Sequence, residues 1–392
     1  MIELIKKAIL LIITTCELFL VSGCGKIQAE VREKEKTDFD VYSKIKYSDL
    51  VDIDSGYIND DKEILLDNIG SQTLSIVYKD YKKHKATYKI DISVVDKEPP
   101  ILSMSSNIYK LVGDEYNLCD EAFYGDNFDR NLKCEIIGNY DRDTLGKYEL
   151  TLKVSDQSEN SVEKHFNLNV IEKFNNQGNN IPDGLNIADA IASYKNDKTS
   201  IGIDVSSYQG RIDWEQVKDS GIDFAMIRLG YGYTSDMQLI IDKYFEDNLR
   251  GAKENGLKVG VYFYTYANTL KEIDEQVDFI VKTLNGNTLE LGIAYDFESW
   301  KRFYRYEMNF FDLNNLYNYF SDKLSDYGYE TMLYGSKYYL NTAWNTDSKK
   351  IWLAHYTSKT NYDKDFVMWQ FSDVGLVNGI NGFVDLDVMY SN

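Results

Sequence analysis

The stretch that decides the reading of this chain is Leu291-Gly292-Ile293-Ala294-Tyr295-Asp296-Phe297-Glu298-Ser299-Trp300. It begins as an apolar run and ends in two carboxylates spaced i, i+2. On a β-strand, side chains two apart point the same way, which sets the Cα atoms of Asp296 and Glu298 roughly 7 Å apart on one face. Two acids side by side at the end of a buried strand repel, and the repulsion raises the proton affinity of one of them. Glycoside hydrolysis uses such a pair. The plain alternative is a strand end where two acids meet solvent.

Working outward from this stretch, the chain after Ser200 alternates apolar strands with amphipathic helices. The strands expected are 201–208, 224–229, 258–266, 292–297, 330–334, 351–356, 367–371 and 383–388, with helices over 240–254, 271–284 and 312–326. Eight strands with helices in the early gaps predict an α/β fold, an irregular, TIM-like β/α barrel over residues 200–392. The last three strands leave little room for helices, so the outside of the barrel is expected to be incomplete. In such barrels the functional groups sit at the C-terminal strand ends. Those ends supply Asp204, Arg228, Tyr231, Tyr262, Tyr264, Asp296, Glu298, Trp352, His355, Tyr356, Trp369, Gln370, Asp385 and Asp387. Carboxylates bind hydroxyls or move protons, and aromatic rings stack on sugar faces. Glycines do not cluster into a phosphate or dinucleotide loop. Ser206 and Ser207 have no histidine nearby to activate them.

These residues carry a resemblance. Asp204-Val205-Ser206-Ser207-Tyr208-Gln209-Gly210 with Ile212-Asp213-Trp214 is similar to the opening of glycoside hydrolase family 25 lysozymes. Phe224-Ala225-Met226-Ile227-Arg228, Gly260-Val261-Tyr262-Phe263-Tyr264 and Tyr295-Asp296-Phe297-Glu298 resemble its next three strands. Trp352-Leu353-Ala354-His355-Tyr356, Trp369-Gln370-Phe371 and Val384-Asp385-Leu386 resemble its end. The resemblance implies an N-acetylmuramidase that needs no cofactor or metal and cuts the β-1,4 bond from N-acetylmuramic acid to N-acetylglucosamine in peptidoglycan. It makes Glu298 the proton donor. It makes Asp296 the partner that orients the substrate's N-acetyl group or stabilises positive charge at the anomeric carbon. Asp204 and Asp385 complete an acidic floor, and Tyr264 lines it. Substrate contacts are expected from Tyr262, Arg228, Gln209, Trp352, Tyr356 and Gln370, with core packing the competing role for Trp352, Tyr356 and Trp369. Asp387 stands where the family often has Asn and is read as a neighbour of the site. The rival function is a wall-glycan-binding surface protein that cuts nothing.

The other half of the chain reads as an address and a mount. Lys6 and Lys7 precede the apolar stretch from Ala8 to Val21, too short for an ordinary membrane-spanning helix. Val21-Ser22-Gly23-Cys24 closes it. Residues 1–24 therefore resemble a bacterial lipoprotein signal, with Cys24 the lipidated residue and the body of the protein on the outer face of the cell membrane, reaching into the wall. Residues 25–40 are charge-rich and read as a tether. Residues 41–97 and 98–172 repeat one pattern of a glycine, a strand, a polar turn and a final strand, as in Gly70–Tyr78 with Ala86–Val95 and Gly146–Asp156 with His165–Val170. Two small all-β sandwich domains are expected. Through Asp126-Asn127-Phe128-Asp129 and Asp156-Gln157-Ser158-Glu159-Asn160 the second resembles bacterial immunoglobulin-like domains, and the first resembles a shortened relative. Such modules commonly serve as spacers. Residues 173–199, rich in Asn, Asp, Lys and Gly, read as a linker.

Composition narrows the partners. A formal net charge of −20 argues against nucleic acid, which needs clustered Lys and Arg. A monomer acting on glycan strands, with the membrane reached through the lipid, is the expectation. Of the four cysteines, Cys16 leaves with the signal and Cys24 carries lipid, so Cys119 and Cys134 are free to form a disulfide in an oxidising compartment. His84, His165 and His355 are scattered, without metal-site spacing.

Overall fold

The computed structural model describes residues 26–174, 183–232, 238–301 and 303–391. The expected signal over residues 1–24, with Cys16 and the lipidation candidate Cys24, lies outside the described residues. The chain divides into two compact units, one ending at Lys97 and one beginning at Glu98.

The first unit is built on an antiparallel hairpin of Gly70–Asp80 and Lys85–Val95. Alternation along the second strand buries Ile90, Ile92 and Val94 and leaves the residues between them outside. Asp38–Asp40 joins this strand in parallel, and Gly56–Ile58 joins the other strand antiparallel. The expected tether over 25–40 is thereby corrected. Glu30–Glu33 pairs with Val51–Asp54, and Asp38–Asp40 is a sheet edge. Charge-rich composition hid these edge strands, in which one apolar residue such as Phe39 (buried) faces in and the charged neighbours face water.

The second unit opens with a module of the same plan. Gly146–Ser155 and Ser161–Ile171 form the hairpin, Asn107–Leu111 runs parallel to its second strand and Lys133–Ile137 antiparallel to its first. The two hairpin turns also match. Asp80 Oδ1 accepts the His84 amide at 2.9 Å, and Asp156 Oδ1 accepts the Asn160 amide at 2.8 Å. Such Asx bonds fix a turn locally, so the repeat read from sequence has a common physical basis. A ribbon of Ile101–Met104 and Ala122–Gly125 covers one face of the sheet. Between them lies a core of Leu118, Tyr124, Leu150, Leu152, Val154, Phe166, Leu168 and Val170. Cys119 and Cys134 are joined by a disulfide.

The remainder is a closed eight-stranded barrel. Its strands are β1 (Thr199–Val205), β2 (Phe224–Gly232), β3 (Lys258–Tyr264), β4 (Ile293–Asp296), β5 (Thr331–Ser336), β6 (Ile351–Ala354), β7 (Met368–Leu376) and β8 (Val384–Tyr390). Neighbours pair in chain order, β1 to β7 in parallel, and β8 closes the ring antiparallel to both β7 and β1. Helices Phe245–Glu254, Leu270–Leu284 and Phe310–Asp326 make the early crossovers. In Leu270–Leu284 the Thr269 and Glu272 side chains form a capping box, and Ile273, Val277, Ile280 and Leu284 make the buried stripe. Gly202 is needed where β1 meets β2, because a Cβ there would lie 2.2 Å from the Phe224 ring. The linker expectation is corrected at its end. Ile187–Tyr194 is a helix whose Ile187 and Ala190 enter the barrel core and whose Tyr194 ring meets Phe371 at 4.4 Å.

Candidate active site

Because β1 to β7 are parallel, their C-terminal ends share one rim. Because β8 runs the other way, its beginning reaches that same rim, which pairs Asp385 with Asp204 across the β1–β8 register. A cleft of about 590 Å³ opens there. It is lined by Glu298, Asp296, Asp204 and Asp385, and by Tyr264, Tyr262, Arg228, Gln209, Trp352, Tyr356 and Gln370. All eleven residues singled out for chemistry or substrate contact are thus brought to one place. Asp387, His355 and Trp369 are not.

The acids differ in setting. Asp296, at the end of β4, is 4% exposed, and its Oδ1 has no hydrogen-bond partner among the described residues. Burial raises its pKa well above the usual carboxylate range; the Glu298 charge adds to this and Arg228 opposes it. Glu298, just past the strand, is open to water in the cleft. Enclosure by the cleft walls raises its pKa too, and a hydrogen bond with Tyr334 pulls it down. This corrects the sequence argument. The buried acid is Asp296, desolvation leads in both shifts, and the neighbour's charge adds only to that of Asp296. Both acids therefore hold their protons more tightly than free carboxyls do.

Asp204 is 6% exposed and accepts a 2.7 Å bond from Gln370 Nε2. Burial, with Asp385 and Asp387 nearby, raises its pKa well above the usual value. Asp385 is pushed up to about 6, first by burial and then by the Asp373 charge. Asp387 is fully buried and accepts the Trp352 indole N–H at 2.7 Å, so it anchors a wall of the cleft.

A hydrogen-bond chain fixes the floor. Gln370 Oε1 accepts from the Tyr334 hydroxyl at 2.9 Å and the Tyr356 hydroxyl at 3.1 Å, while its Nε2 serves Asp204. That pattern leaves one orientation for the amide. Arg228 is held by Asp242, with Nε to Oδ2 at 2.8 Å, and by Ser207 Oγ at 2.9 Å. Its guanidinium lies 5.1 Å from the Tyr208 ring centre and 5.4 Å from that of Tyr231. Trp352 is 2% exposed and packs edge-on to Tyr334 at 4.7 Å, so its place is the core beneath the cleft. Trp369 is also core, giving its indole N–H to the His355 carbonyl at 2.8 Å. Tyr356 and Tyr208 are 53% and 86% exposed and offer open ring faces. Gln209 caps the Ser206 turn and reaches the Phe383 carbonyl.

Sequence reasoning missed Tyr334, Tyr208, Tyr266 and Asp242. Tyr334 hides in the apolar run of β5, and nothing near Asp242 in the chain announces that it pairs with Arg228.

Residues 203–380 match the sequence model of Glycosyl hydrolases family 25. The matched span holds every cleft acid except Asp385. The autolytic lysozyme of Clostridium acetobutylicum is 32% identical over 189 residues, which span 47% of this chain and 54% of that protein. The chain therefore covers about half the length of this relative. An uncharacterized protein of Escherichia coli O157:H7, YegX, is 29% identical over 197 residues, spanning 48% of this chain and 68% of its own. Among solved structures, the spore cortex lytic enzyme SleM of Clostridium perfringens superposes with a TM-score of 0.44 at 20% identity, over 50% of this chain and 68% of that one. The barrel domain carries the sequence pattern of the family.

Proposed function

We propose that the barrel is a lysozyme-type N-acetylmuramidase that hydrolyses the β-1,4 bond between N-acetylmuramic acid and N-acetylglucosamine in peptidoglycan. The observation that carries this reading is the placement of Asp296 and Glu298 together in an acidic cleft within the family-matched span. Glu298 gives its proton to the leaving glycosidic oxygen as the bond to the anomeric carbon breaks. A water oxygen then bonds to that carbon, and the proton it releases restores Glu298. Asp296, with an unbonded buried oxygen, is placed to hold the substrate's N-acetyl group or to face the positive charge that develops. Asp204 and Asp385 complete the polar floor, and the open faces of Tyr208 and Tyr356 take sugar rings.

On this reading the two β modules are immunoglobulin-like, Cys24 carries lipid, and the enzyme works as a monomer at the outer face of the membrane. The test is mass spectrometry of muropeptides after digestion of purified peptidoglycan. New reducing ends on N-acetylmuramic acid support the proposal. New ends on N-acetylglucosamine, or walls that bind the protein and stay whole, overturn it.

A further inference from the structure

The module over 98–172 does more than precede the barrel. On its strand Ala122–Gly125, side chains alternate between faces. Ala122 and Tyr124 enter the module's own core. Phe123, pointing the other way and 5% exposed, belongs to the core of the barrel. Its ring meets Trp300 edge-on at 5.5 Å and Tyr339 at 5.1 Å, with Phe303 and Phe310 beside it. Trp300 stacks on Tyr339 at 4.0 Å, and its amide bonds the Glu298 carbonyl at 2.7 Å. From the module to the proton donor is a path of two side chains and one backbone bond.

Polar contacts surround this aromatic plug. The Phe310 amide donates to the Asp126 carbonyl at 2.8 Å. Arg130 holds Asp312 through two bonds of 2.6 and 2.8 Å. Arg305 bonds Asp120 at 2.9 Å, and the Tyr304 hydroxyl also donates to Asp120. Packing is close throughout, since a Cβ on Gly125 would lie 2.7 Å from the Phe310 ring. The polar contacts all fall on the segment that begins two residues after Glu298 and runs into the helix Phe310–Asp326, and Tyr339 is the ring that Phe123 meets beyond it. Among the described residues, that segment is braced from outside the barrel by this module.

We infer that the module over 98–172 is part of the catalytic apparatus, and that Phe123 is a positioning residue which sets the Glu298 loop through Trp300. The inference rests on the reading of Glu298 as proton donor. Loosening this brace moves Glu298 away from the cleft walls that enclose it, and a displacement near 1 Å can cost about 100-fold in rate.

The experiment uses the full-length protein with Phe123→Ala, Phe123→Leu and Glu298→Gln. In folded Phe123→Ala, kcat on solubilised peptidoglycan should fall at least about 10-fold with KM changed less than about 3-fold. The alkaline limb of the pH profile should move to lower pH, because a better-hydrated carboxyl gives up its proton sooner. Phe123→Leu should recover most of the loss. Titration of the Glu298 carboxyl by NMR gives a readout that needs no substrate, and its midpoint should fall by about 0.5 pH or more in Phe123→Ala. Parental kcat and a parental midpoint in Phe123→Ala would overturn the inference. If that variant does not fold, Asp120→Ala combined with Arg130→Ala loosens the same brace at its rim, and the same pair of parental results overturns it. Full activity in Glu298→Gln instead overturns the donor assignment, while the NMR midpoint still decides on the brace.

Discussion

The two β modules share a hairpin, a sheet order and an aspartate turn, yet they stand differently in the molecule. Residues 26–97 belong to a unit that ends at Lys97, whereas 98–172 form one compact unit with the barrel. The difference lies in a few outward side chains. In the second module Phe123, Asp120 and Arg130 grip the barrel, and the strand that carries Phe123 keeps its neighbours for the module's own core. A repeat copied for one purpose can thus be recruited by a neighbour through changes on its surface alone, with the buried pattern left as it was.

The largest expected effect isolates the chemistry from both modules. Glu298→Gln should lower muramidase turnover by about 10²–10⁴-fold and leave every calorimetric transition in place. A shifted transition would mean that the residue supports the fold. Next, Ile76→Ala and Leu152→Ala remove equivalent fully buried side chains from the two hairpins, each at about 2–5 kcal/mol. Scanning calorimetry should show two transitions. Ile76→Ala should lower only the one of the first unit, and Leu152→Ala should lower the temperature at which activity is lost. If both mutations moved the same transition, the division into two units would fail.

Opening the disulfide with Cys119→Ser and Cys134→Ser, which are 15 residues apart, should cost about 3 kcal/mol in the second transition and nothing in the first. The smallest effect is one of sign with pH. The cleft acids have raised pKa values; for Asp385, pushed up to about 6, the contribution to stability is full below about pH 4 and is lost as pH rises through about 6. In the first unit Asp80 goes the other way. Burial pushes it up, but hydrogen bonds from His84 and Gln28 outweigh this and hold its pKa down, so its contribution is lost on acidification. Raising the pH from 4 to 7 should therefore lower the second transition and leave the first in place, whereas acidification below about pH 4 should lower the first. Asp385→Asn should flatten the drift of the second by on the order of 1 kcal/mol.

Much of the architecture was legible. All eight barrel strands could be read from apolar runs, because buried parallel strands leave little room for polar residues. The antiparallel course of β8 was missed, although the short stretch from Leu376 to Val384 cannot hold the crossover helix a parallel strand needs. Edge strands at Glu30–Glu33 and Asp38–Asp40 were hidden by their charge. The cleft acids were visible because each lies at or just past a strand end, while Asp242 was not, since its partnership with Arg228 exists only in three dimensions. Phe123 was illegible for a related reason. An apolar residue in a β module reads as that module's core, and only the assembled chain shows that it serves another.

The amide of Gln370 has a consequence for recognition. With the phenolic proton of Tyr356 given to its oxygen, that ring cannot donate to an incoming ligand without loosening Gln370, and with it the Asp204 side chain. Tyr356 can then offer its ring face and, at the hydroxyl, an acceptor only. A ligand that tried to exploit its hydroxyl would meet a side chain whose hydrogen is already taken.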